Sequence, residues 1–295
     1  MSSTQTPLPT CYRHPDRETG LSCSECGRPI CTECMTPAPV GLRCPEHAGN
    51  SARARGPRVG NRQLVVPRTP LRGTEALVTK ALIAINLGIY LLTAVQGHGL
   101  NSPGGTLWDK LILWGPLVKH GDWWRLISAA FLHASIVHIA FNMLALWWIG
   151  APVENYLGRA RYIGLYLVGG LAGSAGALVT SPTVPVVGAS GAIFAILGAM
   201  LILEWQATGR LGGNAMTLIV LNLVIGFAFN GAGGNISIGG HVGGLIGGIL
   251  ATLAFARWGK GHAAYGRLGL AGIAGLVAVA AASIAISYWK VRGLA

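Results

Sequence analysis

Apolar residues gather in seven runs, near 76–95, 127–150, 161–180, 187–203, 215–230, 236–256 and 268–289, with polar residues between them. Most runs approach the roughly 20 residues that a helix needs to cross the hydrocarbon of a bilayer. The pattern predicts an all-α polytopic membrane protein with seven spans, the fourth to sixth short or interrupted by glycine. Basic residues between the runs give these spans a direction. The Arg-rich stretch before residue 76, Arg159 with Arg161, Arg210, and Arg257 with Lys260 and Arg267 fall on one face, which the positive-inside rule makes the cytoplasm. The opposite face takes the long loop 96–122, two uncharged links, and a tail whose Lys290 and Arg292 are one small departure from the rule. The expected location is the plasma membrane, with the amino terminus cytoplasmic and the carboxy terminus extracytoplasmic.

Composition changes this picture little. Only 11% of the 295 residues are charged and the mean hydropathy is +0.52, against about a quarter charged in an ordinary soluble domain. The formal charge of +12 raises the question of nucleic acid, but ten of the twenty-two basic residues precede Ala76 and no aromatic residues interleave with them. They read as topology signals and not as a nucleic-acid surface, with contact to anionic lipid as a by-product. The polar amino terminus lacks the short apolar core of a secretory signal, so the first span is expected to direct insertion itself. Residues 48–75, rich in Arg, Pro, Gly and Ser, read as a cytoplasmic linker.

All six cysteines lie between Cys11 and Cys44 and, with two histidines, form four pairs of identical spacing: Cys11 with His14, Cys23 with Cys26, Cys31 with Cys34, and Cys44 with His47. A two-residue gap lets both members of a pair reach one ion from a tight turn, and zinc takes four such ligands tetrahedrally. Eight ligands imply two closed structural zinc sites with none left over. Three disulfides would leave both histidines unexplained and would need an oxidising compartment, which the Arg-rich flank opposes. Spacing alone leaves the pairing of the pairs open. The segment resembles a B-box-like cross-braced zinc finger, and that resemblance implies Cys11, His14, Cys31 and Cys34 on one ion and Cys23, Cys26, Cys44 and His47 on the other. With so few apolar residues of its own, the module is expected to need metal to fold.

The chemistry-bearing stretch is 185–200, where a Gly188-Ala-Ser190-Gly191 turn opens an apolar helical run. Serine is ordinary in membrane helices, where its hydroxyl usually bonds back to a carbonyl one turn earlier. His241 changes the reading, because an ionisable group at membrane depth needs a partner or a purpose. In the expected topology the fourth and sixth spans both start outside, which sets Ser190 and His241 at similar depth. Gly244 and Gly248 share the His241 side of the sixth span, and Gly191, Ala195 and Gly198 form a small-residue stripe on the fourth; such faces let helices approach closely. Upstream, His138 and Asn142 are four apart on one helix face, a spacing from which they could donate to an oxyanion.

Together these residues resemble the rhomboid family of intramembrane serine proteases. The likeness runs from about Ala76 to Ala256 and rests on Trp124-Arg125, the series His133, His138, Asn142, then Glu154, then Gly188-Ala-Ser190-Gly191, and His241 with Gly244 and Gly248. It implies a six-helix core with Ser190 as nucleophile and His241 as general base, in a cavity open to the outside. It further implies an oxyanion hole of His138, Asn142 and the Ser190 amide, Phe194 packed against the base, and a structural role for Trp124-Arg125. Gly240 and Phe194 depart from the family's usual Ala and frequent Tyr at those positions. The seventh span matches a subset of the family with an added carboxy-terminal helix.

The expected organisation is a disordered N-terminal segment 1–10, a zinc module 11–47, a linker 48–75, a protease core 76–256, and a seventh helix with its tail over 257–295. The substrate is another membrane protein, cut in or beside a transmembrane segment; the zinc module would serve a protein partner, and catalysis would need no cofactor. Two other readings compete: an inactive rhomboid-like protein that binds membrane clients, which typically lacks the serine or the histidine, and a zinc module for which the spans are only an anchor. Four acidic residues follow Ala76, namely Asp109, Asp122, Glu154 and Glu204. Glu154 and Glu204 fall at the cytoplasmic ends of spans, and Asp122 can pair with Lys119 or Arg125. By elimination, the base acts without a carboxylate.

Overall fold

The computed structural model describes residues 8–38, 41–47, 76–231, 236–255 and 269–294. The linker expected over 48–75 and the basic residues Arg257, Lys260 and Arg267 lie outside them. Two compact units result, Met1–Val66 and Pro67–Ala295. The first holds two small antiparallel hairpins, β1 (Thr10–Cys11) with β2 (His14–Glu18) and β3 (Thr36–Pro37) with β4 (Leu42–Arg43). Its interior is Ile30 and the buried cysteine sulfurs, with Leu21, Met35 and Leu42 packed around them.

The second unit is helical. Among the described residues, six helical runs are long and apolar enough to cross a membrane: α1 (Leu77–Gln96), the continuous run Ile136–Leu157, α7 (Arg159–Thr180), α8 (Ser190–Thr208), α10 (Ile238–Phe255) and α11 (Leu270–Val291). The fifth apolar run forms α9 (Asn214–Gly231), shorter in its apolar part, which covers Asn214–Ala228. Every one of the seven predicted runs is thus a helix, six of them of spanning length. The chain is a multi-pass membrane protein. Residues that would be anomalous in water, such as Val95 at 84% exposed and Phe141 and Trp148 at 70%, cover the outside as a lipid-facing surface.

The second run starts later than its hydropathy suggests, at Ile136 rather than near 127. Residues 127–131 belong instead to short turns that end loop 1: α4 (Arg125–Ser128) and a single 3-10 turn, Ala129–Phe131. Leu132 is extended, and Ser135 then caps α5 (Ile136–Ala145) by accepting the His138 N–H at 3.2 Å. Pro152 cannot donate to the helical ladder, and the helix widens into a π turn at Leu146–Gly150 before continuing as α6 (Ala151–Leu157). The span therefore includes Glu154.

Glu154 has a clear task there. It is 1% exposed, and its carboxylate accepts from the N–H of Val78 at 3.0 Å, the N–H of Thr79 at 2.8 Å and the Thr79 hydroxyl at 2.8 Å. These are otherwise unpaired donors in the first turn of α1, where the helix dipole also favours negative charge. Glu204, near the end of α8, does the same for α9 by accepting from the Ala215 N–H at 3.0 Å. Each glutamate ties the end of one helix to the start of another.

Helices α7, α8 and α10 form the centre, and small residues set their spacing. A Cβ on Gly244 of α10 would overlap the carbonyl oxygen of Gly191 on α8, and one on Gly248 would overlap the Ala195 carbonyl a turn further along. The two backbones are in direct contact, so neither position can take any side chain without moving a helix.

Two measurements of unfolding midpoint in detergent check this packing. Glu154→Ala leaves two buried N–H groups unpaired and should cost about 2–3 kcal/mol. Gly244→Ala should cost about 1–3 kcal/mol by overpacking, whereas Gly88→Ala, where an added Cβ meets nothing within 4 Å, should be neutral or slightly stabilising.

Candidate functional site

The site begins with loop 1, between α1 and α5. It contains α2 (Thr106–Leu111) and α3 (Gly115–Lys119) ahead of α4. Arg125, 5% exposed, organises it: Nε donates to Asp122 at 2.8 Å, and Nη1 donates to the carbonyls of Asp109 at 2.7 Å and Ile112 at 2.9 Å. Trp124 Nε1 donates to the Lys110 carbonyl at 3.0 Å and Ser128 Oγ to that of Leu111 at 2.9 Å. An ion pair this well enclosed and hydrogen-bonded fixes the loop's shape.

Loop 1 in turn holds the strand that leads into α8. Leu113 and Val186 exchange backbone hydrogen bonds at 3.2 and 2.8 Å, and Trp114 Nε1 donates to the Thr183 carbonyl at 3.0 Å. No motif in the sequence announces this bridge. Gly188 then donates to the Ala129 carbonyl at 2.9 Å with φ +128°, a conformation open to glycine alone at little strain. A Cβ there would lie 2.8 Å from His138 Nε2 and 3.8 Å from Ser190 Oγ. Gly188 thus sits between the imidazole and the hydroxyl.

Ser190 is the first residue of α8, so its backbone N–H is among those that a helix start leaves without a helical partner. Phe194 follows one turn later on the same face and stacks on the His241 ring, with centroids 4.3 Å apart and planes 14° from parallel. His241 is 8% exposed. Its Nδ1 lies beside Gly226 of α9 and has no hydrogen-bond partner. Among the described residues no hydrogen bond joins Ser190 to His241. Catalytic contacts commonly tighten only with substrate in place.

On the other side of Ser190, His138 accepts the Ala134 N–H at Nδ1, at 3.4 Å, which puts the proton of the neutral ring on Nε2, the atom beside Gly188. Asn142 is buried one turn further along α5 and its Nδ2 has no hydrogen-bond partner. His133 is fully buried with its ring edge-on to His138 at 5.1 Å. Asp122 is taken up by Arg125, and Asp109 is exposed.

In the N-terminal unit the eight ligands fall into two groups, Cys11, His14, Cys31 and Cys34, and Cys23, Cys26, Cys44 and His47. This is the interleaved arrangement that the cross-braced resemblance implied. Within each group every ligand atom lies within 4.8 Å of the others. His14 Nδ1 is 3.4 Å from the sulfurs of Cys31 and Cys34 and 3.9 Å from that of Cys11; His47 Nδ1 is 3.2 Å from Cys44 and 3.9 Å from Cys23. A tetrahedron with arms of about 2.3 Å has edges of roughly 3.8 Å, so the donor sets fit a metal ion. Electrostatics agree. Burial pushes the Cys11 thiol up, but the amides of Arg13 and Cys31 and the His14 ring outweigh it and leave it at about 6. Burial and then the thiols of Cys31 and Cys11 push Cys34 up to about 11. So many sulfurs in one place cannot all ionise without a cation between them.

Comparison with known proteins bears on the membrane unit. Residues 120–258 match the Rhomboid domain family. Rhomboid protease GluP of Bacillus subtilis is 36% identical over 227 residues, 72% of this chain and 43% of that protein. Putative rhomboid protease YdcA of the same organism is 31% identical over 59% of this chain and 85% of its own length. Rhomboid protease GlpG of Serratia proteamaculans is 30% identical over 66% of this chain and 67% of its own. The chain therefore spans less than half of the first of these relatives and two thirds or more of the other two. The matched region runs from loop 1 through the histidine of α10, and with relatives covered so fully at this identity, the chain belongs to the rhomboid family.

Proposed function

We propose that this chain is an intramembrane serine protease that hydrolyses a peptide bond in or beside a transmembrane segment of a membrane-protein substrate. The observation that carries the reading is the Phe194–His241 stack. It sets an imidazole against α8 one turn beyond Ser190, which supports a pairing of the two. His241 Nε2 takes the proton of the Ser190 hydroxyl as Oγ bonds to the scissile carbonyl carbon. It then gives that proton to the departing amine nitrogen as the C–N bond breaks, and a water activated by the same nitrogen hydrolyses the acyl-enzyme. The negative charge that develops on the carbonyl oxygen falls to His138 Nε2–H, the Asn142 amide and the Ser190 backbone N–H, and the start of α8 adds its dipole. No carboxylate is needed as a third member: Glu154 and Glu204 cap helices, and Asp122 pairs with Arg125.

The outward orientation is supported by Arg159, Arg161 and Arg210, which lie at the opposite ends of α7 and α8 from Ser190. The same orientation puts the N-terminal module in the cytoplasm of a plasma-membrane protein. There the two donor sets would hold structural zinc, whose binding free energy supplies the folding energy that so small an apolar core cannot. The module's partner would be a protein.

A fluorophosphonate probe in membranes should label the wild type and not Ser190→Ala. Ser190→Ala and His241→Ala should each abolish cleavage of a transmembrane reporter substrate while protein levels persist, because the two act as a unit. Full turnover by either variant overturns the assignment. Asn142→Ala should lower kcat by roughly tenfold to a thousandfold, the scale of one oxyanion donor.

Metal analysis of the full chain, purified without chelator, should find about two zinc ions per chain. Three disulfides and no zinc would remove the metal reading and, with it, the cytoplasmic placement of the amino terminus.

A further inference from the structure

The last helix is the least buried of the spans, with Val277 at 61% and Trp289 at 58% exposed, yet it ends on Val291, which is fully buried. Val291 belongs to the apolar cluster on which the segment leading to Ser190 also rests. Val291 shares a cluster with Leu113, Val118, Leu126 and Leu178, against which Val186 and Leu294 also pack. The chain then turns, with the Leu294 N–H donating to the Val291 carbonyl at 3.0 Å, and Lys119 Nζ of α3 donates to the Leu294 carbonyl. Gly115 closes the contact: its N–H donates to the Pro182 carbonyl at 3.0 Å, and a Cβ there would lie 3.0 Å from Leu294 Cδ1.

We infer that the end of α11, through Val291 and Leu294, is a positioning element for the nucleophile: it clamps the Leu113–Val186 bridge and so sets where Gly188 and Ser190 stand relative to His138. This rests on the role proposed for Ser190. The segment 182–188 belongs to no regular sheet: it is held by the two bridge hydrogen bonds, the Gly115, Trp114 and Gly188 contacts, a turn closed by the Val184 N–H on the Ser181 carbonyl at 3.2 Å, and an apolar floor to which Val291 and Leu294 contribute beside Leu113, Leu126 and Leu178. Removing the floor frees the strand to shift, and a displacement of about 1 Å at a reacting group can cost on the order of a hundredfold in rate.

The test compares Val291→Ala/Leu294→Ala with Leu276→Ala, which removes a contact with Gly164 towards the other end of α11. The fluorophosphonate labelling rate, kcat and KM on one reporter substrate, and the unfolding midpoint are measured for each. The double variant should lose about 10- to 100-fold in both labelling rate and kcat with KM within about twofold. Leu276→Ala should also lower the midpoint but keep kcat within about twofold. Val291→Ile, which keeps the floor, should behave as the wild type. If the double variant does not fold, Leu294→Ala and Lys119→Met, which weaken the same clamp more gently, should reproduce the kcat loss in milder form. Unchanged labelling and kcat in the variants, or an equal loss in Leu276→Ala, overturns the inference. If instead Ser190→Ala cleaves as well as the wild type, the reading of Ser190 has failed, whatever α11 does.

Discussion

Backbone against backbone, the contact of Gly244 on α10 with Gly191 on α8 is what the membrane unit depends on. A bilayer gives helices no hydrophobic reason to associate with one another rather than with lipid, so close packing must supply the attraction. Glycine provides it by removing the side chains that would hold the axes apart. The same contact bears on the proposed site, because Gly191 follows Ser190 and Gly244 lies three residues beyond His241, on the same face.

Charge is used with similar economy. Of the four acidic residues after Ala76, Glu154 caps α1, Glu204 caps α9, and Asp122 holds Arg125, whose other nitrogens gather the carbonyls of loop 1. Each carboxylate answers donors that the chain's own geometry leaves unpaired. Asp109, the fourth, is exposed. Three of the four carboxylates thus have hydrogen-bond partners away from His241, in keeping with the proposal that the base acts without one. His241 keeps its orientation by a ring stack in place of an ion pair, a device suited to a site where burying another charge would be costly.

Much of this could be read in the residues because membrane proteins write their constraints in simple periods. Seven apolar runs became seven helices, and the i+3 and i+7 glycines of α10 marked the face that meets α8. The start of the second span could not be read. Hydropathy cannot distinguish Ile127 to Phe131, tucked into short turns beneath loop 1, from the first turn of a membrane helix, and the signal that separates them is the single cap at Ser135. Likewise Pro152 looks like an end but is absorbed by a π turn. Least legible of all was the Leu113–Val186 bridge, two residues of ordinary apolar character that are 73 positions apart, the first of them next to Ile112, whose carbonyl Arg125 holds.

That order of dependence explains why sites and supports differ in visibility. Groups proposed to carry chemistry must be of particular types, so Ser190 and His241 stand out in an apolar background; the residues that place them need only the right size and position, so they do not. The N-terminal unit is the opposite case. There the support is itself chemical, since Ile30 and a few partly buried side chains are all the apolar interior it has and the sulfurs supply the rest. A fold held by ligands announces its whole architecture in the spacing of those ligands. Its pairing was left open by spacing only because four equal gaps allow more than one assignment; β1 and β2 set Cys11 opposite His14, and the Tyr12 N–H donates to the Pro29 carbonyl at 3.1 Å, close to Cys31 and Cys34, whose sulfurs lie 3.4 Å from His14 Nδ1.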